Sequence, residues 1–360
     1  MRQVYLAATG QNRGKTTASL GLFDLFLGRG LEAGFMKPVG QRTIIEDGIP
    51  ADEDAVLMRE VFGLTDPMSV MSPVHIPRGF TKAYINGEVV EDLGARIRAA
   101  NHALAERHEV ALIEGTGHAG VGAVIGLSNA VVAGMLEAPA IIISEGGVGR
   151  PIDEIVLNAS HFASHGVEVA GAIVNKVDLD AQPALVRILE RGLGAHGIPL
   201  LGVLPYRPIL SNPTLAMVLE GVHGETLHPG PDLDRVIDSV AIGAMEPVHM
   251  LERIGPGTLV IVPGDRDDAI LRLTSAHASG SSTSLGLVLT GGYRPSQTVI
   301  DEIRWADLFA TLVAEDTYEV ASEVHDLLVK THAADAEKIA LIKRLVAEWL
   351  DLDRILAVAR

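Results

Sequence analysis

The chain has 360 residues, which is enough for two or three domains that each bury their own core. Acidic residues outnumber basic residues by 46 to 29, and the net charge of −17 argues against broad binding to nucleic acid or to anionic lipid. The chain contains no cysteine, which excludes disulfides, thiolate zinc sites and a cysteine nucleophile.

Short apolar strands alternate with helix-like segments over the first 210 residues or so. The predicted strands are residues 4–8, 33–36, 110–113, 140–144, 169–174 and 200–204, and the predicted helices are residues 16–27, 93–107 and 183–193. Strands that are apolar on both faces and separated by helices are typical of a mostly parallel sheet covered by helices. We therefore predict an α/β first domain over residues 1–212, with ligands at the carboxyl ends of its strands.

Two apolar segments bear on membrane association. Residues 4–8 are followed at once by polar residues and glycine, so we predict no secretory signal and a cytoplasmic protein. Residues 119–136 carry no charge and approach the length of a membrane span, but they are rich in glycine and alanine and contain Ser128 and Asn129. We predict that this run is a helix buried against the sheet and that the protein has no membrane partner.

The pattern breaks at "PYRPILSNP", residues 205–213, and a second unit follows. Its predicted strands lie near residues 258–262, 285–289 and 310–314, with helices between them. The last segment, residues 335–350, places apolar side chains at helical spacing on one face. We predict a smaller α/β domain over residues 213–360 that ends in this amphipathic helix.

The segment "TGQNRGKTT" links the first predicted strand to a helix. Such a loop presents unpaired backbone N–H groups at the positive end of the helix dipole, and glycines let the backbone approach phosphate. Lys15 would add a charge for the terminal phosphates and Thr16 a hydroxyl for Mg²⁺. The alternative is an ordinary turn, since Thr9 stands where the usual spacing has glycine. The candidate phosphate-binding residues are Gly10, Gly14, Lys15, Thr16 and Thr17.

Three further residues stand near strand ends or helix starts in the first domain. Lys37 follows the second strand, Asp54 precedes a helical run, and Glu114 follows a strongly apolar strand. A carboxylate in such a position can hold Mg²⁺ or a water bound to it. Thr16, Asp54 and Glu114 are therefore candidate oxygen ligands for Mg²⁺, with Lys15 on the phosphates beside them.

The segment "GAIVNKVDLD" places Asn175, Lys176 and Asp178 after another apolar strand. An asparagine amide can pair with a purine edge, and the N-K-x-D order also occurs in GTP-binding proteins. The alternative is a polar turn. We predict that Asn175 and Asp178 contribute to the binding of the base. This pattern leaves the choice between ATP and GTP open.

Residues 1 to about 210 resemble the dethiobiotin synthetase-like branch of the P-loop ATPases. The segment "ATGQNRGKT" resembles the longer phosphate loop of that branch, with Ala8 where the family has its first glycine. The resemblance implies Mg²⁺ and ATP as cofactors and a homodimer. It further implies Lys15 and Lys37 as the catalytic residues, with Lys37 at the substrate or the transferring phosphate, and Asn175 at the base. Thr16, Asp54 and Glu114 are then placed around Mg²⁺. The segments after Lys37 and after Glu114 differ from those that serve the synthetase's substrate.

The second unit resembles a DRTGG domain. The segments "PGDRDD" and "LVLTGG", with Asp265, Arg266, Thr290, Gly291 and Gly292, carry that resemblance. The two-part order resembles the N-terminal half of long bacterial phosphotransacetylases, without their acetyl-transferring domain. Glycines after apolar strands suit an anion that approaches backbone amides, and Arg266 is a candidate contact for it. The alternative is two ordinary turns with Arg266 paired to a nearby acid.

These patterns leave three functions open. The first is a regulator that binds Mg-ATP in one domain and a small anionic metabolite in the other, with slow hydrolysis at most. The second is an ATP-dependent ligase that phosphorylates a carboxylate or a carbamate, with Lys37 on the phosphoryl group. The third is a scaffold that binds no nucleotide. A regulatory protein associated with phosphotransacetylase is a variant of the first function.

Overall fold

A computed structural model of the chain describes residues 1–46, 48–179, 181–280, 284–327 and 329–360. The chain divides into two compact units. The first contains residues 1–206 together with residues 331–360, and the second contains residues 207–330.

The first unit is built on a parallel sheet. Its strands are β1 (Arg2–Ala8), β2 (Ala33–Met36), β3 (Val39–Gly40), β4 (Thr43–Glu46), β5 (Ile49–Asp52), β6 (Val74–His75), β7 (Val110–Glu114), β8 (Ala140–Glu145), β9 (Val169–Val177) and β10 (Leu200–Pro205). The central order is β10-β9-β8-β1-β7-β2, and all of its ladders are parallel. This confirms the predicted sheet. Its middle strands are buried along nearly their whole length, which explains their unbroken apolar sequences.

Helices cover this sheet. They are α1 (Lys15–Gly28), α2 (Glu53–Phe62), α3 (Met68–Met71), α4 (Phe80–Ile85), α5 (Leu93–Ala105), α6 (Asn129–Met135), α7 (Gly149–Ser164) and α8 (Leu185–Gly194). Outside the central sheet, β3 pairs with β6 in a parallel arrangement, and β4 forms an antiparallel hairpin with β5. The sequence patterns did not predict these four short strands, which lie outside the central sheet.

The uncharged run at residues 119–136 is not the single buried helix that we predicted. A 3₁₀ turn at Ala123–Ile125 ends at Gly126, whose φ is 72°, and α6 begins only after Ser128. The Ser128 hydroxyl accepts the N–H of Val131 as the helix cap. Glycine and serine therefore divide the run, because the first allows a left-handed conformation and the second starts a new helix. Within the described residues, no helix combines the length and the apolar character needed to cross a bilayer.

The second unit is a smaller α/β domain with a mixed sheet, as predicted. Its strands are β11 (Glu225–His228), β12 (Ser239–Ile242), β13 (Thr258–Pro263), β14 (Gly286–Thr290) and β15 (Phe309–Leu312), in the order β11-β15-β14-β13-β12. Strand β11 runs antiparallel to β15, and the other ladders of this sheet are parallel in the described residues. Its helices are α9 (Pro208–Ser211), α10 (Leu215–Gly221), α11 (Pro247–Leu251), α12 (Asp267–Ala278), α13 (Gln297–Trp305) and α14 (Thr317–Asp326).

The C-terminal segment differs from the predicted domain boundary. Residues 331–360 carry α15 (Ala336–Trp349) and α16 (Leu352–Val358), and they belong to the first unit rather than the second. The apolar face of α15 packs on α1, and Leu350 forms a bridge with Gly202 of β10. The amphipathic pattern predicted the helix correctly but could not identify the core that it covers, since apolar periodicity carries no information about the partner.

Gly21 allows the close approach of α1 and α15. A Cβ atom at this position would lie 2.2 Å from the Cβ of buried Val346. We expect Gly21→Ala to lower the free energy of unfolding by about 1–3 kcal/mol, because the two helices must separate to admit the methyl group. Urea unfolding measures this change. Gly28→Ala in the same helix is the matched control, since nothing lies within 4 Å of its added methyl group. Equal stabilities for the two variants would contradict this packing.

Candidate nucleotide-binding site

The loop between β1 and α1 brings a helix N-terminus to the carboxyl edge of the sheet. Strand β1 lies between β7 and β8, so the loop emerges where the strand order reverses, which is the usual ligand position in open α/β sheets. Gly14 caps α1 with φ 96° and ψ 28°, a left-handed conformation that favours glycine. Gly10 lies in the same loop, half-buried, and Thr17 lies in the first turn of α1.

Lys15 is the first residue of α1 and is only 9% exposed. Within the described ranges, its ammonium group has no hydrogen-bond or ion-pair partner. Burial, together with the positive charge of Lys37, lowers the pKa of Lys15 to about 8, against the attraction of Glu114 and Asp54. A buried cation without a direct partner beside a helix N-terminus makes this position strongly attractive to an anion.

Lys37 joins the two carboxylates among the three predicted magnesium ligands. Its Nζ lies 2.6 Å from Asp54 Oδ2 and 2.9 Å from Glu114 Oε1, and all three groups lie at the same edge of the sheet. The Thr16 hydroxyl donates to Asp54 Oδ1 over 3.1 Å. Residues 16, 37, 54 and 114 thus form one connected network, as expected when neighbouring parallel strands end together.

Burial and the Lys37 charge set the protonation of this network. Burial alone would lower the pKa of Lys37, but the carboxylates of Asp54 and Glu114 outweigh it and hold that pKa well above its usual value. Burial would raise the pKa of Asp54, but Lys37 and the Thr16 hydroxyl hold it at about 2. Glu114 is fully buried, and burial raises its pKa against the attraction of Lys37.

The donor set of the network is suited to a hard cation. A hydroxyl and two carboxylates supply oxygen atoms, which Mg²⁺ prefers, and Mg²⁺ commonly uses one or two carboxylates together with phosphate and water. Among the described residues, no group of three or more His, Asp or Glu side chains could hold a metal by itself. Because Lys37 contacts one oxygen of each carboxylate, an ion bound there would share these ligands with the ammonium group.

Two residues of the network were missed at the sequence level. Ser19, one turn after Lys15 in α1, donates its hydroxyl to Glu114 Oε2 over 2.5 Å. Asp52 is buried, caps α2 by accepting the N–H of Asp54, and burial raises its pKa. The spacing of Ser19 from Lys15 was the available signal for the first. Asp52 in "PADED" directly precedes α2, a position where aspartate commonly caps a helix.

The two predicted base-binding residues have other partners. The Asn175 amide nitrogen donates to the carbonyl of Arg13 over 3.1 Å, so this side chain contacts the phosphate loop itself. Asp178 is exposed, and its carboxylate accepts the N–H of Ala181 over 3.0 Å in a local turn. The structure therefore brings Asn175 to the loop and leaves Asp178 in its own turn.

Glu145 at the end of β8 was also missed. It forms ion pairs with Arg13 of the loop and with Lys176, whose Nζ lies 2.8 Å from Glu145 Oε1. An acid directly after an apolar strand was the same signal that singled out Glu114.

In the second unit, the segments around Arg266 and Thr290 form closed turns. Arg266 donates two hydrogen bonds to the Asp268 carboxylate, at 2.9 and 3.1 Å. The N–H groups of Gly291 and Gly292 donate to the carbonyls of Glu315 and Val313. The amides and the guanidinium that we expected to face an anion are thus engaged with the protein, which corresponds to the alternative of ordinary turns.

Comparison with known proteins decides the family. An AAA domain family model matches residues 2–214. The chain belongs to this family. A DRTGG domain family model matches residues 217–327, so the predicted order of a dethiobiotin synthetase-like P-loop domain followed by a DRTGG domain is confirmed.

The relatives of this AAA–DRTGG chain are phosphate acetyltransferases. The Pseudomonas putida enzyme is 29% identical over 98% of this chain and 51% of its own length, and the Deinococcus radiodurans enzyme is 27% identical over 98% and 50%. The chain thus spans about half the length of the curated relatives it matches. Among solved structures, the MinD cell division protein of Aquifex aeolicus is 12% identical, with a TM-score of 0.37 over 58% of this chain and 84% of that one.

Proposed function

We propose that the first unit binds a magnesium–nucleotide complex, with ATP as the expected nucleotide, and that the protein is a regulator rather than a biosynthetic enzyme. The observation that carries this proposal is the convergence of four groups at one helix N-terminus: a buried lysine without a partner among the described residues, a threonine hydroxyl and two carboxylates. These groups supply a cation and amides for phosphate and oxygen ligands for Mg²⁺.

In this proposal Lys15 binds the terminal phosphates, while Thr16, Asp54 and Glu114 hold Mg²⁺, which would neutralise phosphate charge when bound. Lys37 lies on the same carboxylates. The ammonium group of Lys37 would therefore stabilise the negative charge of a phosphate oxygen within its reach. It stays protonated, because the pKa of Lys37 is held well above its usual value. Ser19 fixes the second oxygen of Glu114, so that this carboxylate keeps its orientation.

A regulatory role is supported by the chemistry that the relatives' name describes. A phosphate acetyltransferase, by its name, transfers an acetyl group to phosphate, and the name includes no nucleotide. A nucleotide bound by the matching half of such a protein would therefore act as an effector rather than as a reactant. A second ligand in the DRTGG domain would have to bind away from the turns of Arg266 and Gly291, because contacts within the protein close both turns.

Thermal unfolding of the whole chain with Mg-ATP, with Mg-GTP and with EDTA tests this proposal. A ligand at about 100 times its Kd stabilises the native state by about 2.7 kcal/mol, which raises Tm by several degrees in a domain of this size. We expect such a rise with Mg-ATP and a smaller one when EDTA removes the metal. No rise with either nucleotide would favour the scaffold and contradict the proposal. Release of ADP that depends on an added carboxylic acid would favour the ligase instead.

A further inference from the structure

Side chains from the ends of β8 and β9 contact the loop between β1 and α1. We call Arg13, Glu145, Asn175 and Lys176 the loop clamp. The Asn175 amide donates to the carbonyl of Arg13 over 3.1 Å, and Lys176 Nζ donates to the carbonyl of Asn12 over 3.1 Å. Glu145 anchors the clamp by pairing with both Lys176 and Arg13. Two consecutive carbonyls of the loop are thus held by side chains from the end of one strand.

The backbone conformations indicate that these contacts hold the loop tightly. Asn12 and Lys176 adopt left-handed conformations, with φ of 56° and 57°, which non-glycine residues seldom adopt without support from their surroundings. Gly14 has φ 96°, and a Cβ atom there would lie 1.9 Å from the Asn175 amide nitrogen. The asparagine side chain therefore packs directly on the loop backbone.

The direction of these hydrogen bonds determines where the loop N–H groups point. In a trans peptide the carbonyl and the following N–H point in opposite directions, and the structure has no cis peptide bond among its described residues. A hydrogen bond on the Asn12 carbonyl therefore directs the N–H of Arg13 away from Lys176. In the same way, the bond on the Arg13 carbonyl directs the N–H of Gly14 away from Asn175. Successive N–H groups turned to one side form an anion-binding concavity.

We propose that Asn175 and Lys176 are positioning residues that fix these two peptide planes for a polyphosphate, independently of the base. This inference rests on the proposed nucleotide binding and changes the role predicted for Asn175. A residue that reads the base affects ATP and GTP differently and leaves a ligand without a base unaffected. A residue of the clamp affects every ligand that carries the same phosphates.

The test compares the affinities of ATP, GTP and inorganic tripolyphosphate, each with Mg²⁺, for Asn175→Ala and Lys176→Met. We expect each variant to bind all three ligands more weakly than the wild type does. The affinity should fall by a similar factor for each ligand, about tenfold for one lost hydrogen bond to a loop carbonyl. Asn86→Ala and Lys338→Met are the matched controls, since the Asn86 side chain donates to Glu88 and Lys338 pairs with Asp335, both away from the loop clamp. Both should keep wild-type affinity. A loss confined to the nucleotides, with unchanged tripolyphosphate binding, would overturn the clamp.

Hydrogen exchange in the nucleotide-free protein provides a second readout that does not depend on binding. We expect the amides of residues 10–14 to exchange faster in Asn175→Ala and in Lys176→Met than in the wild type, while the amides of β1 stay protected. Glu145→Gln, which keeps the side-chain shape, should give a smaller effect in the same direction and serves if either variant fails to fold. Unchanged exchange across the loop would overturn the clamp. If the wild type binds none of the three ligands, the proposed function fails, and this exchange measurement still decides the clamp.

Discussion

Replacing Lys15 with methionine should weaken the binding of Mg-ATP and at the same time stabilise the nucleotide-free protein. Lys15 is buried and has no partner among the described residues, so removal of its charge relieves a desolvation cost on the order of 1–3 kcal/mol at pH 7. The same removal deletes a charge-assisted contact to phosphate, and we expect affinity to fall about 30- to 100-fold. Urea unfolding and calorimetric titration measure the two effects.

The pH dependence of stability gives an independent check on Lys15. Its folded-state pKa of about 8 lies below the ordinary value of 10.5, so the unfolded chain binds more protons between these two values. The contribution of Lys15 to stability is therefore present above pH 10.5 and is lost as the pH falls through 8. We therefore expect the free energy of unfolding to rise from pH 8 to pH 10.5 in the wild type, and we expect Lys15→Met to lack this rise. Lys338→Met should behave like the wild type in both binding and pH dependence, and a stability loss in Lys15→Met would contradict this account.

Replacing Lys37 with methionine should destabilise the nucleotide-free protein strongly. The variant leaves Asp54 and the fully buried Glu114 without their shared cation. Removal of one partner from a buried ion pair typically costs about 3–5 kcal/mol, because the remaining charge stays buried and uncompensated. Lys15→Met is the matched control, since the same substitution at the start of α1 is expected to change stability in the opposite direction. Urea unfolding at pH 7 measures both.

Protonation of Glu114 should recover part of the loss in Lys37→Met. Burial raises the pKa of Glu114, and replacing Lys37 removes the largest influence that opposes this rise. A group whose pKa is raised on folding stabilises fully below its unfolded-state pKa and loses this effect as the pH rises through its folded-state pKa. The variant should therefore become more stable as the pH is lowered from neutral towards the ordinary pKa of glutamate. Lys37→Met/Glu114→Gln should recover stability at pH 7, and failure of both rescues would contradict the assigned charge network.

The sequence predicted the central sheet well because its strands are buried on both faces. Strand β2 was predicted with its observed bounds, and β7 and β8 each extend one residue beyond the prediction, to Glu114 and Glu145. The convergence of Lys37 and Glu114 followed from the same property, since neighbouring parallel strands end at one edge. Apolar periodicity and strand-end chemistry are local signals, and both sufficed here.

The remaining features depend on contacts between distant segments. Nothing near Asn175 in the sequence indicates that its amide donates to Arg13, a residue 162 positions away. The assignment of α15 to the first unit depends on the absence of a side chain at Gly21, which becomes informative only when Val346 is placed against it. For residues 119–136 the prediction overlooked a local signal. Hydrophobicity suggested one helix, but the conformational preferences of Gly126 and Ser128 produced two short ones.

Calorimetric titration of the whole chain with ATP, in the presence and absence of Mg²⁺, tests the central claim most directly. Wild-type protein should bind the nucleotide saturably with one site per chain, and more tightly with Mg²⁺. Asp54→Asn should lose most of the magnesium dependence while keeping its fold. Titrations without saturable heat under both conditions, together with an unchanged Tm, would contradict the claim that these side chains form a nucleotide site.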